Sequence, residues 1–143
     1  MLPMQADFYL LDSNENKLLF ACRLLEKAYK LGHKVFVYCN DHKETETLDE
    51  LLWTFKPESF IPHNIQGEGP EPPPTIQLGF NNEPRGFEDI LLNLHVDIPA
   101  FYKKFSRIME IVSADEECKK QSRARYKEYK KQGAIIKTHD IIG

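Results

Sequence analysis

Hydrophobic and polar positions follow two periods along the chain, and the switches between them mark out its elements. Ala6-Asp-Phe-Tyr-Leu-Leu11 is a short apolar run closed by Asp12-Ser13-Asn14, the profile of a buried strand and a turn. Leu18, Leu19, Cys22, Leu25 and Tyr29 then recur at helical spacing, with Lys17, Arg23, Glu26, Lys27 and Lys30 on the other faces. Ser13 or Asn14 is the predicted cap of that helix and Gly32 its stop. Lys34-Val-Phe-Val-Tyr-Cys39 is a second run of β-formers, closed by Asn40-Asp41. Strand, helix and strand in quick succession predict a βαβ unit and hence a parallel sheet.

Beyond it, Thr45 to Phe55 reads as a helix with Leu48, Leu51, Leu52 and Phe55 on its core face, stopped by Pro57. Ser59-Phe-Ile-Pro62 is a candidate edge strand, where proline is tolerated. Residues 66–74, Gln-Gly-Glu-Gly-Pro-Glu-Pro-Pro-Pro, predict a stiff exposed loop. Thr75–Leu78, Asp89–Leu94, Ile108–Val112 and Ala134–Thr138 are further strand candidates. Pro99 suits the start of a short helix carrying Phe101, Tyr102 and Phe105. A longer helix runs from Asp115-Glu-Glu117 to about Gln132, with acids at its positive end and lysines at its negative end. Without an internal repeat or a domain-splitting linker, the expectation is one domain over residues 1–143. Its expected architecture is a three-layer α/β/α sandwich on a mainly parallel, Rossmann-like sheet.

The length of 143 residues, with 41% hydrophobic and 29% charged positions, suits a domain with a self-supporting core. A net charge of −3 provides no global positive field for nucleic acid. The cysteines Cys22, Cys39 and Cys118 form no Cys-x-x-Cys pair, which fits a reducing compartment. No signal peptide is visible in Met-Leu-Pro-Met-Gln-Ala-Asp, and the apolar runs are far shorter than the roughly 20 residues of a membrane helix. A cytoplasmic location is expected.

An α/β sheet raises the question of a nucleotide site, which the fold alone does not answer. The turn after the first strand, Asp12-Ser13-Asn14-Glu15-Asn16, carries no glycine for close approach to a pyrophosphate. Gly67-Glu-Gly69 is an isolated pair inside the proline-rich loop. The histidines His33, His42, His63, His95 and His139 lack metal-ligand spacing. His63 reads as a loop histidine bonded to backbone, and Cys39 as a small core residue. No cofactor, metal or catalytic role is expected.

The distinctive chemistry lies in Cys118–Lys131, which carries Lys119, Lys120, Arg123, Arg125, Lys127, Lys130 and Lys131 with Glu128 as its one acid. On a helix, Lys119, Arg123, Tyr126, Lys127 and Lys130 fall within one stripe roughly 100° wide. A basic stripe enclosing an aromatic suits an acidic peptide with a hydrophobic anchor. A solvated helix face and a site for single-stranded DNA are the alternatives. Separately, Trp53 lies about 200° from Leu51 around its helix, which places the sole tryptophan outward beside Phe60 and Pro62. That patch is either an interface anchor or a cover over a helix–loop junction.

Taken together, Phe8-Tyr-Leu-Leu-Asp12, Leu48-Asp-Glu-Leu-Leu-Trp53, Glu58-Ser-Phe-Ile-Pro-His-Asn64, Gly67-Glu-Gly-Pro70 and Arg123-Ala-Arg-Tyr-Lys127 resemble the chi subunit family of bacterial DNA polymerase III holoenzyme. The likeness covers nearly the whole chain and is most specific from Glu58 to Pro70. It implies a non-catalytic clamp-loader accessory protein with a Rossmann-like sheet and no working nucleotide site. The implied partners are a psi subunit, paired one to one, and the acidic C-terminal tail of single-stranded DNA-binding protein, ending Asp-Ile-Pro-Phe. Lys119, Arg123, Tyr126 and Lys127 match the family's tail-binding positions, Val112 would help line the pocket for the terminal phenylalanine, and Trp53, Phe60 and neighbouring Pro62 fall on the psi-side surface. Cys118 and Gln121 stand where one member of that family has leucines, and the Pro72-Pro-Pro74 run is individual to this chain. So is the start Met1-Leu-Pro-Met4, in which Met4 is a second candidate initiator.

Overall fold

A computed structural model describes residues 3–141. The elements run β1 (Gln5–Leu11), α1 (Lys17–Lys30), β2 (Val35–Tyr38), α2 (His42–Thr54), β3 (His63–Ile65), β4 (Ile76–Gly79), β5 (Ile90–Asn93), β6 (Arg107–Val112), α3 (Glu116–Lys131) and β7 (Ile135–Ile141). The strands form one seven-stranded sheet in the order β3-β4-β2-β5-β6-β1-β7. Every pairing in it is parallel.

Short polar motifs start each helix. Asn16 accepts from the Leu19 N–H at 3.0 Å, Asp41 from that of Glu44 at 2.8 Å, and Asp115 from that of Cys118 at 2.9 Å. Glu44 returns the favour by accepting from the Asn40 N–H at 2.9 Å, a reciprocal cap that fixes the β2–α2 turn. Beyond the last turns of α1 and α3, Gly32 and Gly133 adopt φ of +84° and +85°, where a side chain is disfavoured.

Strand alternation distributes the core over both faces. Val35, Val37, Ile90 and Leu92 pack with α1 and α2 through Leu25, Leu48 and Leu52. Phe8, Phe36, Leu91 and Ile108 face the other way, against Tyr129 of α3 and the segment carrying Tyr102 and Phe105. The two faces follow from connection handedness. From β1 through α1 to β2, and on through α2 to β3, the chain steps toward one edge of the sheet; from β6 through α3 to β7 it steps toward the other. Right-handed crossovers running in opposite directions must lie on opposite faces. The result is the α/β/α layering expected from the sequence.

Several boundaries differ from the sequence reading. The first helix is capped by Asn16, not Ser13 or Asn14, because Asp12 closes its own turn by accepting from the Asn14 N–H at 2.9 Å. The second helix begins at His42, not Thr45, since Asp41 is available as its cap. The edge strand is His63–Ile65, not Ser59–Pro62. Ser59 instead reaches across to α1, donating to Glu26 at 2.6 Å, and Pro62 has no N–H for a ladder. After Pro99 there is only a 3₁₀ turn, Tyr102–Lys104, because the chain must extend again at buried Phe105 to enter β6. Of the individual start, Met1 and Leu2 lie outside the described residues.

Candidate functional site

Neighbouring β1 and β6 send their chains to opposite faces of the sheet, β1 to α1 and β6 to α3. In an open α/β sheet such a switch point leaves a crevice outside the strand carboxyl ends. An open cleft of about 910 Å³ lies there, on the α3 face.

The strand registers build its floor in rows. Asp140, Leu10 and Val112 stand abreast across β7, β1 and β6, and Thr138 and Phe8 lie in the next row, whose β6 member, Glu110, is covered by α3 and stays outside the cleft. Leu10, Phe8 and Val112 make the centre of the floor apolar, while Thr138 and Asp140 edge it on the β7 side. The facing wall is α3, which turns Lys119, Arg123, Tyr126, Lys127 and Lys130 toward the cleft. Tyr126 is 37% exposed, and its ring centroid lies 5.4 Å from that of Phe8, so the wall joins the floor through aromatic contact.

A buried polar network beneath α3 sets which residues face the cleft. Glu110, fully buried on β6, accepts from Arg125 Nε at 3.0 Å, Tyr129 Oη at 2.6 Å and Asn93 Nδ2 at 2.9 Å. Arg125 Nη1 also donates to the Val96 carbonyl at 2.7 Å. Burial pushes the Glu110 carboxyl above the usual carboxylate range, with the Arg125 charge and the donated bonds pulling against it. Arg125 and Tyr129, four apart on one helical face, anchor α3 and leave the basic stripe outward. In the sequence Arg125 is one more cation in a basic run. The available signal was Glu110, a lone acid inside the apolar strand Ile108-Met-Glu-Ile-Val112, which demands a buried partner.

Lys119, Arg123, Tyr126, Lys127 and Val112 therefore line one cleft. Lys130 joins them, as its place on the stripe suggests, whereas Phe8, Leu10, Thr138 and Asp140 come together only through sheet register. Trp53, Phe60 and Pro62 lie elsewhere. Trp53 projects from α2, 50% exposed, with its ring 5.6 Å from that of Phe60, itself 67% exposed. Pro62 is half-buried one residue before His63, on which the Trp53 ring also packs, at 4.4 Å.

His63 is buried, with Nδ1 2.7 Å from the Ile61 carbonyl and Nε2 3.0 Å from the Asp49 carboxylate. It belongs to an edge strand rather than a loop, but its backbone contact is the one expected. Burial pushes the Cys22 and Cys39 thiols up to about 12, which leaves them as core side chains at neutral pH. Among the described residues, no group of three or more His, Cys, Asp or Glu side chains is placed to hold a metal ion. No helix among them is long and apolar enough to cross a membrane.

A doubly wound parallel sheet with a cleft at its switch point, and no glycine in the turn after β1, defines a Rossmann-like α/β protein lacking the dinucleotide-binding fingerprint. The sequence pattern of one such family, the DNA polymerase III chi subunit, HolC, matches residues 4–137. The chain belongs to this family, which places it in DNA replication. DNA polymerase III subunit chi of Pseudomonas aeruginosa is 35% identical over 139 residues, covering 96% of both chains. The chi subunit of Haemophilus influenzae is 35% identical over 141 residues, 95% of this chain and 96% of the relative. That of Escherichia coli is 30% identical over 140 residues, 93% and 95% respectively.

Proposed function

We propose that this chain is a non-catalytic accessory subunit of the replication clamp loader, acting in the bacterial cytoplasm as one domain, and that its cleft holds the acidic C-terminal tail of single-stranded DNA-binding protein. The observation that supports this reading is the convergence of Lys119, Arg123, Tyr126, Lys127 and Val112 on a single cleft with an apolar floor. Arg123 pairs its planar fork with the terminal carboxylate. Lys119 and Lys127 attract the upstream aspartates, while Tyr126 and Val112 flank the terminal phenylalanine. From Lys119 to Lys130 the wall is roughly 16 Å long, enough for about five extended residues. The Trp53–Phe60–Pro62 surface receives a psi subunit, one to one, and so links the tail to the clamp loader. Contact with nucleic acid is then mainly indirect.

Exposed ion pairs contribute about 0.2–1 kcal/mol each, and a buried phenylalanine about 1.5–3 kcal/mol, so the complex is weak and depends on both. The test is fluorescence anisotropy of a labelled peptide ending Asp-Asp-Ile-Pro-Phe, as free carboxylate and as amide, on wild type and Arg123→Ala. Binding that needs both the carboxylate and Arg123 is expected. A folded wild type that binds neither peptide rejects the reading.

A further inference from the structure

The cleft is not basic on both sides. Lys119, Arg123, Lys127 and Lys130 line the α3 wall, whereas Asp140 stands on the opposite, β7 rim. Register fixes that placement: Asp140 is level with Leu10 on β1 and Val112 on β6, two strand spacings from Val112 and so roughly 10 Å away in backbone. It points to the α3 face because Thr138, two residues earlier, lines the same cleft. Asp12, just past the end of β1, also lines the cleft, its carboxylate accepting from the Asn14 N–H at 2.9 Å. An anion on the apolar floor lies within about one Debye length of both walls and feels both signs.

We infer that Asp140 is a specificity determinant of the cleft, admitting an acidic peptide whose carboxylates lie along one edge and rejecting a strand that is anionic throughout, such as single-stranded DNA. The inference rests on the tail-binding reading above. An extended peptide alternates its side chains, so it can turn its carboxylates to α3 while presenting neutral backbone or apolar groups to β7. A nucleic acid strand carries a phosphate at every nucleotide and cannot keep them all on one side. The basic wall alone would accept either ligand; a repulsive group opposite it separates them, which is how discrimination between similarly charged ligands is commonly built. Asp140 is exposed, so its effect is a modest preference.

The experiment compares wild type, Asp140→Asn and Asp140→Lys, each titrated into the labelled free-carboxylate peptide and a labelled 15-mer of deoxythymidine at low salt. Removing one charge at this range is expected to tighten oligonucleotide binding about two- to fivefold, with a smaller gain for the peptide. Asp140→Lys is expected to extend the same trend. Equal gains for both ligands, or oligonucleotide binding that stays undetectable in both variants, overturn the role of Asp140. A wild type that binds no peptide removes the tail-binding reading itself, and this inference with it. Because Asp140 is exposed on an edge strand, folding of the variants is not at issue.

Discussion

Glu110 on β6 and Arg125 on α3 form an ion pair at 3.0 Å with both side chains almost wholly out of water. The pair holds the helix that carries the basic wall, yet it takes no part in the cleft surface. Removing one partner strands the other without solvent, at a cost of about 3–5 kcal/mol. Arg125→Met and Glu110→Leu are each expected to lower stability by that order. Glu110→Leu/Arg125→Met is expected to cost less than the sum of its single changes. Urea denaturation of the four-member cycle measures the coupling, and additive losses would show that the pair is not a unit.

The cleft combines exposed cations with an apolar floor, and salt separates the two contributions. Peptide affinity is expected to fall as salt rises from low ionic strength, because the charges on α3 are screened while the floor is not. Lys127→Ala is expected to weaken binding a few-fold and flatten the salt dependence. Tyr126→Ala removes contact area without charge, so it is expected to weaken binding with the slope unchanged. Anisotropy titrations at several salt concentrations test both, and parallel slopes for wild type and Lys127→Ala would reject the electrostatic role.

What could be seen in advance follows a physical division. Runs such as Val35-Phe-Val37 declare strands because burial on both faces needs apolar residues on both. The stripe on α3 was legible because helical spacing is local, and six of the cleft residues follow from it or from family likeness. Phe8 and Thr138 are separated by most of the chain and meet only through β1–β7 register, which no local period encodes. Likewise Ser13, Asn14 and Asn16 are all capping residues, and only the closed Asp12 turn decides among them.

The thiols give a simple check of the core assignment. Cys22 and Cys39 are buried, with thiols pushed up to about 12, whereas Cys118 is only half-buried. A thiol reagent at neutral pH is expected to modify Cys118 in the native protein and the other two only after denaturation. Native-state labelling followed by peptide mapping reads this directly, and rapid modification of Cys39 would contradict its place in the core.

Asp7, buried in β1, supplies a pH dependence. Burial works to raise its carboxyl, but hydrogen bonds from His139 at 2.8 Å, Arg107 at 2.7 Å and Gln5 at 2.9 Å outweigh it and hold it below the usual range. The unfolded chain, with an ordinary aspartate near pH 3.9, therefore binds a proton first as pH falls. The stabilisation is fully present above about pH 4 and is lost as pH drops through the lower, folded value. Asp7→Asn is expected to be less stable than wild type at pH 7, with the gap narrowing below about pH 4. Urea midpoints between pH 2.5 and 7 test the sign, and a gap that widens with acid would refute it.

The two proposed partner surfaces sit on opposite faces and toward opposite edges of the sheet. Trp53 lies on α2, beside β3, and the cleft lies over β1 and β7. Six strand spacings separate β3 from β7, roughly 29 Å, well beyond the range at which substitutions usually couple. A tether needs this independence, because both partners must be held at once. Trp53→Ala is expected to abolish capture of a psi partner while leaving the peptide Kd within about twofold, and Arg123→Ala is expected to do the converse. Since half of the Trp53 side chain is already exposed, its truncation should lower stability by only about 1–2 kcal/mol, which a denaturation curve measures alongside. Peptide binding that weakens several-fold in folded Trp53→Ala would mean that the sheet transmits occupancy from one surface to the other, and the subunit would then be a switch rather than a bridge.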